Sequence, residues 1–105
     1  MKNLITILFI LCGFFAHAQN QVKVIHFNYK WNDRNNYNIR GLQNAKLQYA
    51  WLEEQPESVK QSITAVPVIV VIGKDGKVKG QFSADLSFEI KATREEIQAL
   101  INKVK

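Results

Sequence analysis

Two predominantly apolar stretches of the chain predict buried strands. Residues 22–27 are rich in β-branched and aromatic side chains, and residues 66–72 consist of valine and isoleucine around a single proline. Nearly continuous apolar runs are typical of strands covered on both faces of a sheet. Because proline lacks an N–H group, Pro67 is expected at the start or the edge of its strand. These two strands are predicted to form the centre of the sheet.

Weaker patterns lie between these two strands. The aromatic content of residues 46–52 predicts a third strand. Pro56 suits the first turn of a short helix over residues 57–63, in which Val59 and Ile63 share one face. The polar stretch that begins at Asp33 predicts a further short helix over residues 33–42, although its asparagines are poor helix formers.

The C-terminal third predicts a hairpin and a helix. Asp75-Gly76 is a strong turn signal, and the return strand over residues 77–84 is expected to place Val78, Phe82 and Ala84 on one face. Residues 85–91 alternate between apolar and polar, so the strand either continues or bends there. Thr93 and Glu96 form a capping box, and the apolar stripe that follows predicts an amphipathic helix.

The N-terminus has the pattern of a secretory signal peptide over residues 1–18. A lysine precedes an apolar run, and Ala16-His-Ala18 provides a cleavage signal. The mature domain is therefore predicted to span residues 19–105 and to be exported, either to a periplasm or out of the cell. A retained N-terminal anchor is the alternative.

The amino-acid composition limits the classes of function that the protein can have. The chain of 105 residues has a single cysteine, Cys12, which lies in the predicted signal peptide. The mature domain therefore has no thiol of its own for catalysis or for a disulfide. The formal charge of +5 is dispersed along the chain, which is typical of a solvated surface and does not predict nucleic-acid binding. Nothing beyond the signal peptide predicts a membrane association.

The predicted β-α-β-α-β-β-α order is that of a mixed α/β fold, a four-stranded sheet with helices on both faces, and it resembles the thioredoxin-like superfamily. Phe27 and Trp31 have the spacing found in the active-site strand of that family, where the tryptophan precedes a Cys-x-x-Cys turn. Val66-Pro67 matches the family's cis proline, and the Asp-Gly turn and capped terminal helix match its last elements. The resemblance covers about residues 22–104.

The chain departs from the family at the redox site. Asn32 and Asn35 replace the two cysteines, so the degenerate positions are Trp31, Asn32, Asp33, Arg34 and Asn35. Thiol exchange requires a thiolate, which an amide cannot replace. The family's first strand and helix are also missing, and the segment after Asn35 is short.

The same resemblance implies a binding surface. In thioredoxin-like proteins the backbone beside the cis proline pairs with an extended partner segment, which requires no cysteine. Tyr29, Trp31, Val66 and Pro67 are the candidate residues, and simple packing around a small core is the alternative. His26 is predicted to be a structural histidine, since one imidazole cannot form a zinc site. No cofactor or metal is predicted.

The sequence thus predicts an exported, non-catalytic module that binds a protein or peptide, with an extended polypeptide or an envelope protein as its partner. One alternative is a thiol-disulfide redox protein that uses the cysteine of its partner. Another is a structural secreted domain. The sequence leaves the oligomeric state open.

Overall fold

A computed structural model describes residues 21–105 as a four-stranded sheet in the order β2-β1-β3-β4. The elements are β1 (Val22–Asn28), β2 (Ala45–Trp51), α1 (Glu57–Ser62), β3 (Val68–Ile72), β4 (Val78–Ser83) and α2 (Arg94–Val104), with 3₁₀ helices at Lys30–Asn35 and Leu52–Glu54. The predicted signal peptide over residues 1–18, including Ala16 and Ala18, lies outside the described residues. Within residues 21–105, no helix has the length and apolarity needed to cross a membrane.

The strand β1 is the centre of the sheet. It pairs in parallel with β2, where His26 lies opposite Tyr49, and antiparallel with β3, where Phe27 lies opposite Val68. All seven of its residues are buried. This burial on both faces confirms the central strand predicted from the apolar pattern.

Separate hydrophobic clusters lie on the two faces of the sheet. On one face, Val59 of α1 packs with the cluster that contains Ile25 and Phe27. On the other face, Ile97 and Ile101 of α2 pack with the alternate residues of the same strands. The mixed sheet with helices on both faces is therefore confirmed.

The helix predicted over residues 33–42 is wrong. The chain forms a 3₁₀ helix at Lys30–Asn35, and no helix is present from Asn36 to Asn44. The prediction gave too much weight to the spacing of apolar residues and too little to the asparagines, whose side chains compete for backbone hydrogen bonds. Asn38 forms such a bond, since its Oδ1 accepts from the Arg40 N–H at 3.0 Å.

A β-bulge changes the predicted face of β4. Ile72 pairs with Val78 while Val71 pairs with Gly80, so Lys79 is an extra residue in the ladder. Residues on either side of a bulge lose their simple alternation. Val78 consequently packs in the α1-side cluster and Phe82 against the α2-side cluster, which corrects the expectation that they share a face. The alternating residues 85–91 form a loop and do not extend the strand.

The capping box at the start of α2 is confirmed. The Thr93 hydroxyl accepts a hydrogen bond from the Glu96 N–H at 3.1 Å, and the Glu96 carboxylate accepts one from the Thr93 N–H at 2.9 Å. Both bonds satisfy N–H groups that have no partner within the helix.

Replacement of Thr93 by alanine is expected to lower the free energy of unfolding by about 1 kcal/mol, because one N–H group of α2 loses its acceptor. Urea titration of Thr93→Ala measures this loss. Thr64→Ala is the matched control, since Thr64 is exposed and lies outside the helices and strands. An equal loss in the two variants would contradict a capping role for Thr93.

Candidate functional site

The turn that follows β1 is organised by the buried side-chain amide of Asn28. Its Nδ2 group donates to the Asn32 carbonyl at 2.9 Å and to the Asn36 Oδ1 at 2.7 Å. Its Oδ1 accepts from the Tyr29 N–H at 2.9 Å and from the Asn32 Nδ2 at 3.1 Å. An asparagine amide has two N–H donors and an oxygen with two lone pairs, so the hydrogen-bonding capacity of Asn28 is fully used.

Asn32 and Asn35, the two positions predicted to replace the redox cysteines, are joined by their side-chain amides. Asn35 Nδ2 donates to Asn32 Oδ1 at 2.8 Å, and Asn32 is buried. Asp33 and Arg34, between them, are exposed. Asn32 and Asn35 therefore stabilise the turn through hydrogen bonds, and neither side chain supplies a nucleophile.

Trp31 projects from this turn and is 65% exposed. Its indole stacks on the Tyr29 ring, with centroids 6.1 Å apart and an interplanar angle of 15°. The Phe88 ring lies 5.6 Å from the indole at an interplanar angle of 86°. Two ring contacts thus orient an indole that remains accessible to solvent.

Phe88 is the residue of this surface that the sequence prediction missed. Its φ angle of 63° is unusual for a bulky residue, and hydrogen bonds between Asp85 and residues 88 and 89 close the turn that holds it. The alternation of Leu86, Phe88 and Ile90 suggested a strand. Two apolar residues next to an Asp-x-Ser turn were the available signal for an exposed loop.

A cis peptide bond joins Val66 to Pro67 directly before β3. Because Phe27 pairs with Val68, this bond lies near the end of β1, where the turn that contains Trp31 begins. The side chains of Val66 and Pro67 are buried. The Pro67 carbonyl accepts a hydrogen bond from the Ala84 N–H at 3.0 Å, whereas the Val66 backbone makes no hydrogen bond to another of the residues 21–105. The backbone groups of Val66 are therefore without a hydrogen-bond partner among residues 21–105.

His26 is buried on the α2 side of β1, with 1% of its surface exposed. Its Nε2 accepts a hydrogen bond from the Tyr37 N–H at 2.9 Å, and its ring lies 4.9 Å from that of Tyr49. Burial lowers the pKa of His26 from 6.5 to about 4, and a hydrogen bond to its own backbone opposes this shift. The imidazole is therefore neutral at physiological pH and acts as a hydrogen-bond acceptor for the segment that contains Tyr37.

The acidic residues near the turn have structural partners. The Glu53 carboxylate accepts a hydrogen bond from the Lys30 N–H at 3.0 Å, and the Glu54 carboxylate lies 3.1 Å from the Lys30 ammonium. Within residues 21–105, no three His, Cys, Asp or Glu side chains are grouped closely enough to hold a metal ion.

Comparison with solved structures identifies the fold as thioredoxin-like. The thioredoxin of Schistosoma mansoni superposes with a TM-score of 0.65 at 17% identity, over 91% of this chain and 88% of that chain. The thioredoxin of Fasciola hepatica gives a TM-score of 0.60 at 22% identity, over 89% of each chain. A structure concerned with thiol resolution in yeast mitochondrial 1-Cys peroxiredoxin gives a TM-score of 0.55 at 24% identity, over 81% of this chain and 80% of that chain.

Sequence comparison adds no closer relative. No protein-family model matches the chain, and no curated protein matches it. The chain is thus a thioredoxin-like domain by its fold, and its asparagine-based turn has to be interpreted from its own geometry.

Proposed function

We propose that this chain is a non-catalytic binding module that recognises an extended polypeptide at the surface formed by Trp31 and the Val66–Pro67 backbone. The observation that carries the proposal is the Trp31 indole, which is 65% exposed and yet contacts the rings of both Tyr29 and Phe88. An exposed aromatic side chain with a fixed orientation loses little entropy on binding, and tryptophan is enriched among residues that dominate interface energetics.

The backbone at Val66 supports an extended partner. A polypeptide can add to a sheet by pairing with backbone groups that have no partner, while neighbouring side chains provide specificity. The Val66 backbone makes no hydrogen bond within residues 21–105, and Pro67, the next residue, cannot donate one. Pairing at Val66 would place a partner segment directly before β3, whose own residues are already paired with β1 and β4.

The chemistry of the turn supports binding without catalysis. The amides of Asn32 and Asn35 hydrogen bond to each other, and residues 21–105 contain no cysteine. We place the protein outside the cytoplasm, after cleavage behind Ala18, because of the signal-peptide pattern. An envelope or secreted polypeptide is the corresponding class of partner.

Replacement of Trp31 by alanine is expected to reduce capture of the partner about tenfold or more, since truncation of an interface tryptophan typically costs ~2 kcal/mol. Crosslinking of the purified protein to envelope or secreted proteins, with quantification of each captured species, measures the change. Because Trp31 is mostly exposed, the variant is expected to keep its fold, which thermal unfolding verifies.

Leu86→Ala is the control for non-specific adhesion. Leu86 is fully exposed in the loop that also contains Phe88, and it belongs to no hydrophobic cluster of residues 21–105. Capture that falls equally in both variants would indicate general stickiness, and unchanged capture by Trp31→Ala would show that the indole is not part of the site. Turnover in an insulin-reduction assay would contradict the non-catalytic proposal and favour a redox protein that uses a partner's thiol.

A further inference from the structure

A cavity of about 470 Å³ lies on the α2 side of the sheet, next to the irregular segment that replaces the predicted helix. This volume is within the range of small-molecule sites, ~300–1,000 Å³. Residues 36–40 form one wall, and the end of β2 forms the other. The polar and aromatic side chains in these walls are Asn36, Tyr37, Asn38, Arg40, Tyr49 and Trp51.

Three carbonyl groups of the irregular segment accept hydrogen bonds from side chains of β2 and α2. The Tyr37 carbonyl accepts from the Tyr49 hydroxyl at 3.1 Å. The carbonyls of Asn38 and Arg40 both accept from the guanidinium of Arg94, the latter at 2.6 Å. These bonds also anchor the segment to β2 and α2, so the wall is held from both sides.

The side-chain groups of residues 36–40 that remain without a partner are donors. Asn36 Oδ1 accepts from Asn28 Nδ2 at 2.7 Å, and Asn38 Oδ1 accepts from the Arg40 N–H at 3.0 Å, which fixes the orientation of both amides. Their Nδ2 groups and the Arg40 guanidinium have no hydrogen bond or ion pair with another of the residues 21–105. No carboxylate lines the cavity. Because these donors have no carboxylate beside them, the wall favours an anionic ligand.

The aromatic residues that line the rest of the cavity favour a ligand with a planar apolar ring. The rings of Tyr37, Tyr49 and Trp51 line the cavity, and Tyr49 packs against the ring of His26. His26 adds no charge, since its Nε2 accepts from the Tyr37 N–H. We propose that the cavity binds a small aromatic carboxylate, with its ring against the aromatic wall and its carboxylate at Arg40 and the two asparagine amides. Arginine suits this group because its guanidinium can donate two parallel hydrogen bonds to a carboxylate.

Titration of the ¹⁵N-labelled protein with benzoate tests this site. Saturable amide shifts are expected at residues 36–40 and 49–51, at concentrations up to about 10 mM, where a millimolar complex saturates. Benzamide, which has the same shape and no charge, is expected to bind about tenfold more weakly, because it loses a charge-assisted hydrogen bond. The absence of saturable shifts, equal binding of benzamide, or shifts located elsewhere would overturn the proposal.

Arg40→Gln is expected to weaken benzoate binding about tenfold, with the same cluster of shifted amides. The side chain of Arg40 is exposed and makes no ion pair within residues 21–105, and the Arg40 carbonyl keeps its bond to Arg94, so the fold should persist. Lys74→Gln removes the same charge from an exposed hairpin turn outside the cavity and should leave the affinity within about twofold. An equal loss in both variants would overturn the site, and the comparison of benzoate with benzamide on the unaltered protein decides the question independently of either variant.

Discussion

Replacement of Asn28 by alanine is expected to lower the free energy of unfolding by about 3 kcal/mol or more, which is a large part of the stability of a domain of this size. The substitution removes four hydrogen bonds at once. It also leaves the buried Asn32 amide and the Asn32 carbonyl without those partners, and an unpaired buried polar group costs ~1–3 kcal/mol. Urea-induced unfolding, followed by fluorescence, measures the difference.

Asn35→Ala is the matched control for this prediction. Asn35 belongs to the same turn, but its side chain contributes one hydrogen bond, to Asn32 Oδ1, and is only partly buried. Its loss should cost about 1 kcal/mol. If Asn28→Ala proved no more destabilising than Asn35→Ala, the buried amide would not be the centre of the turn.

The stability of the domain is expected to fall by about 2 kcal/mol between pH 8 and pH 5, because His26 is neutral in the fold and protonated in the unfolded chain. The folded pKa of about 4 lies below the ordinary value of 6.5. The unfolded state therefore binds the proton first as the pH falls. The contribution of His26 is complete above pH 6.5, decreases from there towards pH 4, and changes no further below the folded pKa.

Urea titrations at a series of pH values measure this dependence, and NMR of the imidazole measures the folded pKa directly. His26 is the only histidine within residues 21–105. His26→Gln retains an acceptor for the Tyr37 N–H and lacks a group that titrates in this range, so its stability should be nearly constant between pH 8 and pH 5. A folded His26 that titrates near pH 6.5 would contradict the prediction.

Local sequence patterns were sufficient for most of the fold. The apolar runs at β1 and β3, the Asp75-Gly76 turn and the Thr93 capping box each depend on residues close together in sequence. Such signals act through local backbone preference and through burial on two faces, and both can be recognised along the chain. The order of these elements was enough to indicate a thioredoxin-like fold.

The sequence indicated which residues the candidate site contains, but not which of their side chains contact one another. The resemblance to a redox turn indicated Trp31, Asn32 and Asn35 as candidates, and residues 19–105 contain no cysteine that could carry out a dithiol reaction. Phe88 was missed because it reaches Trp31 from a loop distant in sequence. The bulge at Lys79 was missed for a related reason, since an extra residue in a ladder is defined by the partner strand.

The sequence by itself determined which segments are buried, where the last helix begins and that this domain has no thiol. The tertiary structure decided what the asparagines do. Asn28, Asn32 and Asn36 are polar residues that favour turns in any protein, and the folded turn brings the amides of Asn32 and Asn36 within 3.1 Å of the Asn28 amide. The tertiary structure also forms the cavity beside Arg40. The segment that was predicted to be a helix is irregular there, and hydrogen bonds to Tyr49 and Arg94 fix its position. The bonds from Tyr49 and Arg94, and with them the cavity, join residues 12 and 54 positions apart, and no local pattern records such pairs.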